Sequence, residues 1–309
     1  MDLEYLLWLQ GFREATGNIL TPLMDAVSVL ATSIMVLVPL FVYWCISRRN
    51  GLFMLLSLRI SALINSLCKL TVCAYRPWIR DARIIPAEGA VATAGGYSFP
   101  SGHTMEAAPV YGSMAVLARK RAKWFSWLCG IMIILTALSR NYLGVHTPQD
   151  VVVGSVLGIV SVYAASRILA HPEKENIYLI AGIVVSILAI TYFSTKTYPM
   201  DYVNGKLLVD PVKMKRSGYG TSGAMIAFIL GYIVEKKYVN FTETGFNVKG
   251  LILSLIGIAI YGYGLAYLKV KMPEILGSSG GRFAAEFITM FFGMAVWPAV
   301  LKVFANRKA

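Results

Sequence analysis

Three short stretches of this chain carry residue types whose spacing could do chemistry: Lys69-x6-Arg76-Pro77, Pro100-Ser101-Gly102-His103 and Ser139-Arg140-x5-His146-x3-Asp150. Lys69 stands near the end of an apolar run, where a charge is costly unless it is paired or reaches water. Arg76 follows seven residues on. That is two helical turns if the helix continues, so both side chains would share one face before Pro77 stops it. Two cations on one face make a receptor for a doubly charged phosphate. A snorkelling lysine and a boundary arginine anchoring a span are the plainer alternative.

In the second stretch, Ser101 is expected as the N-cap of a helix, whose first amides and positive dipole end suit an anion. Gly102 lets backbone approach closely. His103 would stand in the first turn, placed to give a proton to a leaving oxygen; an ordinary capped helix with an interfacial histidine has the same pattern. The third stretch also looks like a helix start, with Thr147 as cap, Pro148 at the first position and Asp150 three residues after the cap. Asp150 is then either a capping carboxylate or the partner of His146, four residues earlier. A carboxylate on one ring nitrogen fixes the tautomer and makes the other a better nucleophile. Arg140 would add a planar fork of donors for phosphate oxygens. The third histidine of the chain, His171, is expected solvated in a loop.

Such residues need a scaffold, and composition says which. Of 309 residues 57% are apolar and 15% charged, against about 25% charged in a typical soluble domain. Several apolar runs reach the ~20 residues that cross a hydrocarbon core. The pattern predicts an all-α polytopic membrane bundle with nine spans, at 20–46, 52–74, 102–118, 124–139, 149–169, 177–194, 219–234, 250–269 and 284–304. Residues 1–18 have no basic segment of signal-peptide type; Leu3, Leu6, Leu7, Trp8 and Phe12 suggest an amphipathic helix lying in the interface. The four cysteines lie in or beside apolar runs without metal-ligand spacing and read as inert buried thiols.

The net charge of +13 is spread over loops, which argues against nucleic acid as a partner and for a bilayer with anionic headgroups. Arg48 and Arg49, the cluster Arg119, Lys120, Arg121 and Lys123, the pair Lys236 and Lys237, and Arg307 with Lys308 all fall on one side of a nine-span chain, hence the cytoplasmic one. All three chemical stretches then share the opposite face. The basic stretch Lys213, Lys215, Arg216 is expected as a solvated loop there, with gathering of anionic lipids as the alternative. Arg59, inside the second span, is expected to snorkel.

In order and at these spacings, the three segments resemble the three-part pattern of the type-2 phosphatidic acid phosphatases, the superfamily that includes the vanadium haloperoxidases. Every fixed position is present between residues 69 and 150. The stretch from about Trp8 to Leu169 is similar to bacterial and sphingosine-phosphate-phosphatase-like membrane members. The resemblance implies a division into an interfacial helix (1–18), a catalytic core (19–170) and a four-span extension (171–309).

It further implies that Lys69, Arg76 and Arg140 bind phosphate oxygens and that Ser101 and Gly102 add donors. His146 would attack phosphorus, Asp150 would orient it, and His103 would protonate the leaving group. Ser139 belongs to the pattern. Asn65, one turn before Lys69, and Glu106, one turn after His103, are candidate supporting residues. No carboxylate cluster suited to Mg²⁺ stands among these residues, so no metal or other cofactor is expected. The implied activity is hydrolysis of a lipid phosphomonoester or diphosphate at the extracytoplasmic face of a bacterial cell membrane. Polyprenyl diphosphate, phosphatidic acid, phosphatidylglycerol phosphate and sphingoid-base phosphate all fit. Phosphotransfer from the same histidine, and lipid transport or scrambling by the extension, are the alternatives.

Overall fold

A computed structural model describes residues 2–34, 37–203 and 205–306. The described chain is nearly all helical. Its helices are α1 (Asp2–Ala15), α2 (Thr21–Val29, followed by a π turn), α3 (Val38–Phe41, likewise), α4 (Arg48–Val72), α5 (Pro77–Arg80), α6 (Gly102–Ala118), α7 (Lys123–Tyr142), α8 (Pro148–Leu169), α9 (Glu175–Thr195), α10 (Pro211–Val234), α11 (Val248–Phe291) and α12 (Trp297–Asn306). A two-stranded antiparallel hairpin, β1 (Tyr202–Val203) with β2 (Lys206–Leu207), is the one sheet among the described residues.

Among the described residues, five segments are long and apolar enough to cross a membrane: Arg48–Arg80, Pro148–Leu169, Pro172–Thr195, Pro211–Val239 and Val248–Phe304. Two of these are interrupted. The first leaves the helix after Val72, where Cys73 takes a positive φ of 52°. The last turns at Gly277, whose φ of 75° and ψ of 168° are open to glycine and strained for other residues. Beyond that turn the chain folds back, and the Gly281 Cα lies against the backbone of Met272 and Pro273. Arg307 and Lys308, counted above toward orientation, lie outside the described residues.

The chain forms two compact units. The first comprises Met1–Val36, Ile64–Ala164 and Thr197–Met214. There α6 and α7 pair as neighbours around Ala107, Ala108, Tyr111, Cys129 and Ile133, with Ala31 against them. A second apolar cluster, Ala87, Ala90, Ala94, Tyr142, Leu143 and Val145, sits under the loop that leads to His146. α1 exposes Trp8 and Phe12, stacked on each other, and buries Leu6. Its Arg13 is buried and donates to the carbonyls of Tyr142 (3.2 Å) and Ile85 (2.6 Å), tying two loops of the unit together. In this way α1 is amphipathic yet anchored by a charge.

α8 meets α6 through glycine. A Cβ on Gly154 would fall 2.1 Å from Thr104 Oγ1 and 3.0 Å from the Ser101 carbonyl oxygen, and one on Gly158 would fall 2.5 Å from Ala108 Cβ. The Gly-x-x-x-Gly spacing thus lets two helix starts come together, as small residues do between membrane helices. It also permits the Ser101 amide to donate to the Asp150 carbonyl (3.0 Å).

The second unit comprises Leu37–Leu63, Ala165–Lys196 and Lys215–Ala309. Trp44 Nε1 donates to the Gly293 carbonyl at 2.9 Å. Glu235, fully buried, accepts from Arg48 at 2.5 Å and from the Phe241 amide at 3.1 Å. The stretch Lys213, Lys215, Arg216 is not a loop, because α10 already starts at Pro211.

Gly154→Ala should cost about 1–3 kcal/mol by overpacking, read as a lowered Tm in detergent. Gly130→Ala on α7, where nothing lies within 4 Å of the added carbon, should leave Tm unchanged. Equal behaviour of the two variants would refute the close-approach account.

Candidate active site

His146 lies in the short turn between α7 and α8, 1% exposed. Its carbonyl accepts from Asn141 Nδ2 at 2.9 Å. The preceding Val145 is fully buried and its amide closes on the Arg140 carbonyl at 3.2 Å, so the turn is held from both sides. Arg76 Nη1 approaches both ring nitrogens, but Nε2 more closely than Nδ1, which it meets at 3.4 Å. Nε2 is 2.8 Å from Arg76 Nη1. A guanidinium only donates, so Nε2 accepts with its lone pair and the ring proton sits on Nδ1. Nδ1 lies 3.4 Å from Asp150 Oδ2 and 3.4 Å from Ser98 Oγ.

Both readings of Asp150 hold at once. The Thr147 amide donates to Asp150 Oδ2 at 2.8 Å and the Asp150 amide donates back to Thr147 Oγ1 at 3.4 Å, a reciprocal cap at the start of α8. The same oxygen faces His146 and accepts from Ser98 Oγ at 2.6 Å. Ser98 is 1% exposed and connects Asp150 to His146. It was not among the residues expected from sequence; its place three residues before Ser101 is the only signal that could have pointed to it.

The cations arrive differently from the two-turn expectation. α4 ends at Val72, residues 73–76 lie outside any helix, and Arg76 is the extended residue before α5. Cys73 in its left-handed conformation breaks the helix before Pro77 could. The loop 95–100 then wraps around both side chains. Arg76 donates to the carbonyls of Gly96 (3.0 Å), Gly95 (3.2 Å) and Val145 (2.9 Å). Lys69 Nζ donates to the carbonyls of Tyr97 (3.0 Å), Ser98 (3.4 Å) and Pro100 (2.8 Å). Arg140, fully buried near the end of α7, reaches Ser28 Oγ at 2.5 Å and Thr93 Oγ1 at 3.4 Å, while its Nε has no hydrogen-bond partner among the described residues. Neither Ser28 nor Thr93 carries any signal in the sequence.

Ser101 takes the position before α6 but not the expected capping bond. Its hydroxyl accepts from no amide, and Oγ is buried with no partner among the described residues. Its amide donates to the Asp150 carbonyl, and its own carbonyl accepts from Met105 N (3.1 Å) and Thr104 Oγ1 (2.9 Å). Gly102 opens α6, with Asn65 Nδ2 at 3.6 Å from where its Cβ would be. Asn65 therefore faces the α6 start, whereas the Lys69 hydrogen bonds run to carbonyls. His103 stands in the first turn of α6, half-buried, an electrostatic neighbour of His146 as well as of Arg140, Arg76 and Lys69. Glu106 and Asp150 are the carboxylates acting on Lys69. Ser139 turns away, its hydroxyl donating to the Thr136 carbonyl at 2.8 Å.

Burial, then the charges of Arg76, Lys69 and Arg140 and the nearby His103, hold the His146 pKa well below the ordinary histidine range. The imidazole is therefore neutral at neutral pH, with its lone pair on Nε2. This is a poised nucleophile beside cations: a group able to attack an electrophilic centre that carries negative oxygens. No group of three or more His, Cys, Asp and Glu among the described residues is placed to hold a metal ion.

Comparison with known proteins gives matches to family models and to curated relatives. Residues 50–172 match the family model of the PAP2 superfamily, and residues 219–308 match that of the PAP2 superfamily phosphatase transmembrane extension. Phosphatidylglycerophosphatase B of Bacillus subtilis is 34% identical over 118 residues, covering 36% of this chain and 54% of that protein. Undecaprenyl-diphosphatase of Sulfolobus acidocaldarius is 30% identical over 115 residues, 36% of this chain and 52% of its own. Lipid A 4'-phosphatase of Porphyromonas gingivalis is 34% identical over 94 residues, 26% of this chain and 38% of its own. The chain thus spans about half the length, or less, of these curated relatives. No solved structure matches.

Titration of His146 by NMR should show the ring still neutral as pH falls through the model-peptide value of about 6.5. The unfolded chain takes up a proton there and the folded one does not, so this group's contribution to stability is lost as pH falls below that value. Arg76→Gln should raise the His146 pKa. A ring that titrates at 6.5 in the native chain would overturn the electrostatic account.

Proposed function

Because the chain belongs to the PAP2 superfamily, we propose that it is an integral membrane lipid phosphatase that hydrolyses a lipid phosphomonoester or diphosphate through a phosphohistidine at His146. The observation that carries this is the pair of contacts on the His146 ring. The lone pair of Nε2 is held 2.8 Å from a guanidinium, and Nδ1 faces Asp150 and Ser98.

The steps follow from these atoms. A phosphate group enters beside Arg76 and Arg140, with the Ser101 hydroxyl, the α6 amides and the charge of Lys69 completing a cage. Its negative oxygens compete for Arg76 Nη1 and draw it off Nε2. Nε2 then forms a bond to phosphorus while the bond to the leaving oxygen breaks, and His103 gives that oxygen its proton. Charge on the equatorial oxygens of the transition state meets donors already fixed in place, where one such donor is worth about 10²–10³ in rate. The phosphorylated ring is cationic at Nδ1–H, facing Asp150. Water next attacks phosphorus and gives a proton to His103. The N–P bond breaks, inorganic phosphate leaves, and the Nε2 lone pair is restored. Lys69, with its hydrogens on three carbonyls, acts as a clamp on the 97–100 loop and as a charge. No step needs a metal.

A nine-span arrangement with Arg48, Arg119 and Lys236 on the cytoplasmic side puts Lys69, His103 and Asp150 at the extracytoplasmic face. A lipid tail can then stay between helices while its headgroup reaches the site. Matches to separate family models over 50–172 and 219–308 support a catalytic core of residues 19–170 and an extension of residues 171–309. The relatives' names support substrates among phosphatidylglycerol phosphate and polyprenyl diphosphate.

Phosphate release from a panel of lipid phosphates, in detergent with EDTA, tests the proposal. His146→Ala should lose activity by on the order of 10⁴-fold or more, and His103→Ala by about 10²–10⁴-fold. Acid-labile, base-stable label from a ³²P substrate should be trapped on His146. Label on His103 instead would reverse the roles, and transfer to an alcohol acceptor without phosphate release would make the chain a phosphotransferase. Ser98→Ala should lower kcat more than it raises KM, since Ser98 touches Asp150 and His146 and not the lipid.

A further inference from the structure

The second unit contains an ion cluster that the proposed reaction does not use. Lys269 lies on α11 before the turn at Gly277, and Arg282 and Glu286 lie after it. The fold-back brings Lys269 Nζ and Arg282 Nη2 each to 3.2 Å from the same oxygen, Glu286 Oε1. α10 packs on this pair through Gly220, where a Cβ would fall 3.1 Å from Cγ of both Arg282 and Glu286. Arg216, one turn earlier on α10, acts electrostatically on Arg282. Arg59 of α4 and Glu286 both act electrostatically on the buried Tyr261 hydroxyl, so both lie in its neighbourhood.

Charge in this cluster does not balance. Glu286 Oε1 is already shared by two cations, and Arg216 and Arg59 add positive charge in their neighbourhood. Arg59 and Arg216 form no ion pair or hydrogen bond among the described residues. The Nε atoms of Arg59 and Arg282 are buried without a hydrogen-bond partner among them. Snorkelling side chains would spread their heads toward water; Lys269 and Arg282 instead converge. Charged residues within apolar spans are costly and gather where a partner is taken up. All four cations are half-buried, so a ligand can reach them. Guanidinium forks suit an anion with several oxygens on one centre.

We propose that Arg59, Arg216, Lys269 and Arg282 form a binding site for a phosphate-class anion within the second unit, with Glu286 as the competing internal anion that keeps binding reversible. The anion is brought by a lipid headgroup or is free phosphate.

The full chain in detergent tests this by thermal shift and native mass spectrometry. Probes are micelles doped with dioleoylphosphatidylglycerol or dioleoylphosphatidylcholine, and inorganic phosphate alone. Phosphatidylglycerol should bind at least about tenfold more tightly than phosphatidylcholine. Arg216→Gln and Arg59→Gln should each weaken that binding about tenfold, the worth of one charge-assisted hydrogen bond. Glu286→Gln should tighten it, a sign that a merely structural ion pair does not produce. Arg76→Gln should leave it unchanged, which keeps the result independent of the catalytic reading. Inorganic phosphate that reproduces the shift assigns the site to the free anion; inertness of inorganic phosphate assigns it to the headgroup. The proposal fails if phosphatidylglycerol is not preferred, if its binding is lost in Arg76→Gln and kept in Arg216→Gln, or if Glu286→Gln weakens it. Should an arginine variant not fold, by size-exclusion chromatography, the sign of the Glu286→Gln effect decides.

Discussion

Holding Lys69 and Arg76 close together inside an apolar bundle, with their hydrogen bonds made to carbonyls and not to carboxylates, is the constraint on which the rest of the catalytic unit depends. Two cations of this kind repel each other and lose hydration, and paired acids would remove the positive field that a phosphate needs. The protein uses carbonyl dipoles instead. Arg76 places its hydrogens on Gly95, Gly96 and Val145, and Lys69 on Tyr97, Ser98 and Pro100. Carbonyl oxygens satisfy the donors and leave the net charge in place. Hence the 95–100 loop is irregular: a helix or strand would spend those carbonyls on its own ladder. Breaking α4 at Cys73 follows from the same need, since only a non-helical segment carries Arg76 into the loop's interior.

Asp150 shows how one carboxylate serves two demands. As a cap it fixes the start of α8, and through the same oxygen it faces His146 Nδ1 and holds Ser98. Any shift of the helix start is therefore a shift of the nucleophile. The close approach at Gly154 extends this coupling to α6, because the Asp150 carbonyl also receives the Ser101 amide. The two helix N-termini are joined by a backbone bond, and the nucleophile and the 95–100 loop are tied to them through the Asp150 carboxylate and Ser98.

Much of this was legible in the residues. The spacing of Thr147, Pro148 and Asp150 announced a helix start, and His146 four residues before Asp150 announced the pair. Apolar runs announced the long helices, including the fold-back around Gly277. What stayed hidden was hidden for physical reasons. Helical periodicity put Lys69 and Arg76 on one face, but a left-handed Cys73 has no reliable sequence mark. A serine before a helix is ordinarily its cap, and nothing in its spacing announces a Ser101 hydroxyl without a partner among the described residues. Ser98, Ser28 and Thr93 act through long-range contacts, and small hydroxyl residues are too common for their positions to stand out.

Taken with the proposed reaction, the Arg76 contact makes the site responsive to the charge of its substrate. Without a phosphate, the cations keep His146 neutral and one of them covers its lone pair, so the ring is intrinsically nucleophilic and yet occupied. A ligand with no negative oxygens gives Arg76 nothing better to bind and leaves Nε2 covered. A phosphate dianion does three things through a single field. It offers Arg76 a stronger acceptor than a neutral ring nitrogen, it favours the protonated form of His103 that must serve as acid, and it places phosphorus beside the lone pair just released. Selection for phosphate esters over neutral esters then needs no shape-fitting pocket around the headgroup. In the proposed reaction that leaves the lipid chains free to lie among the helices.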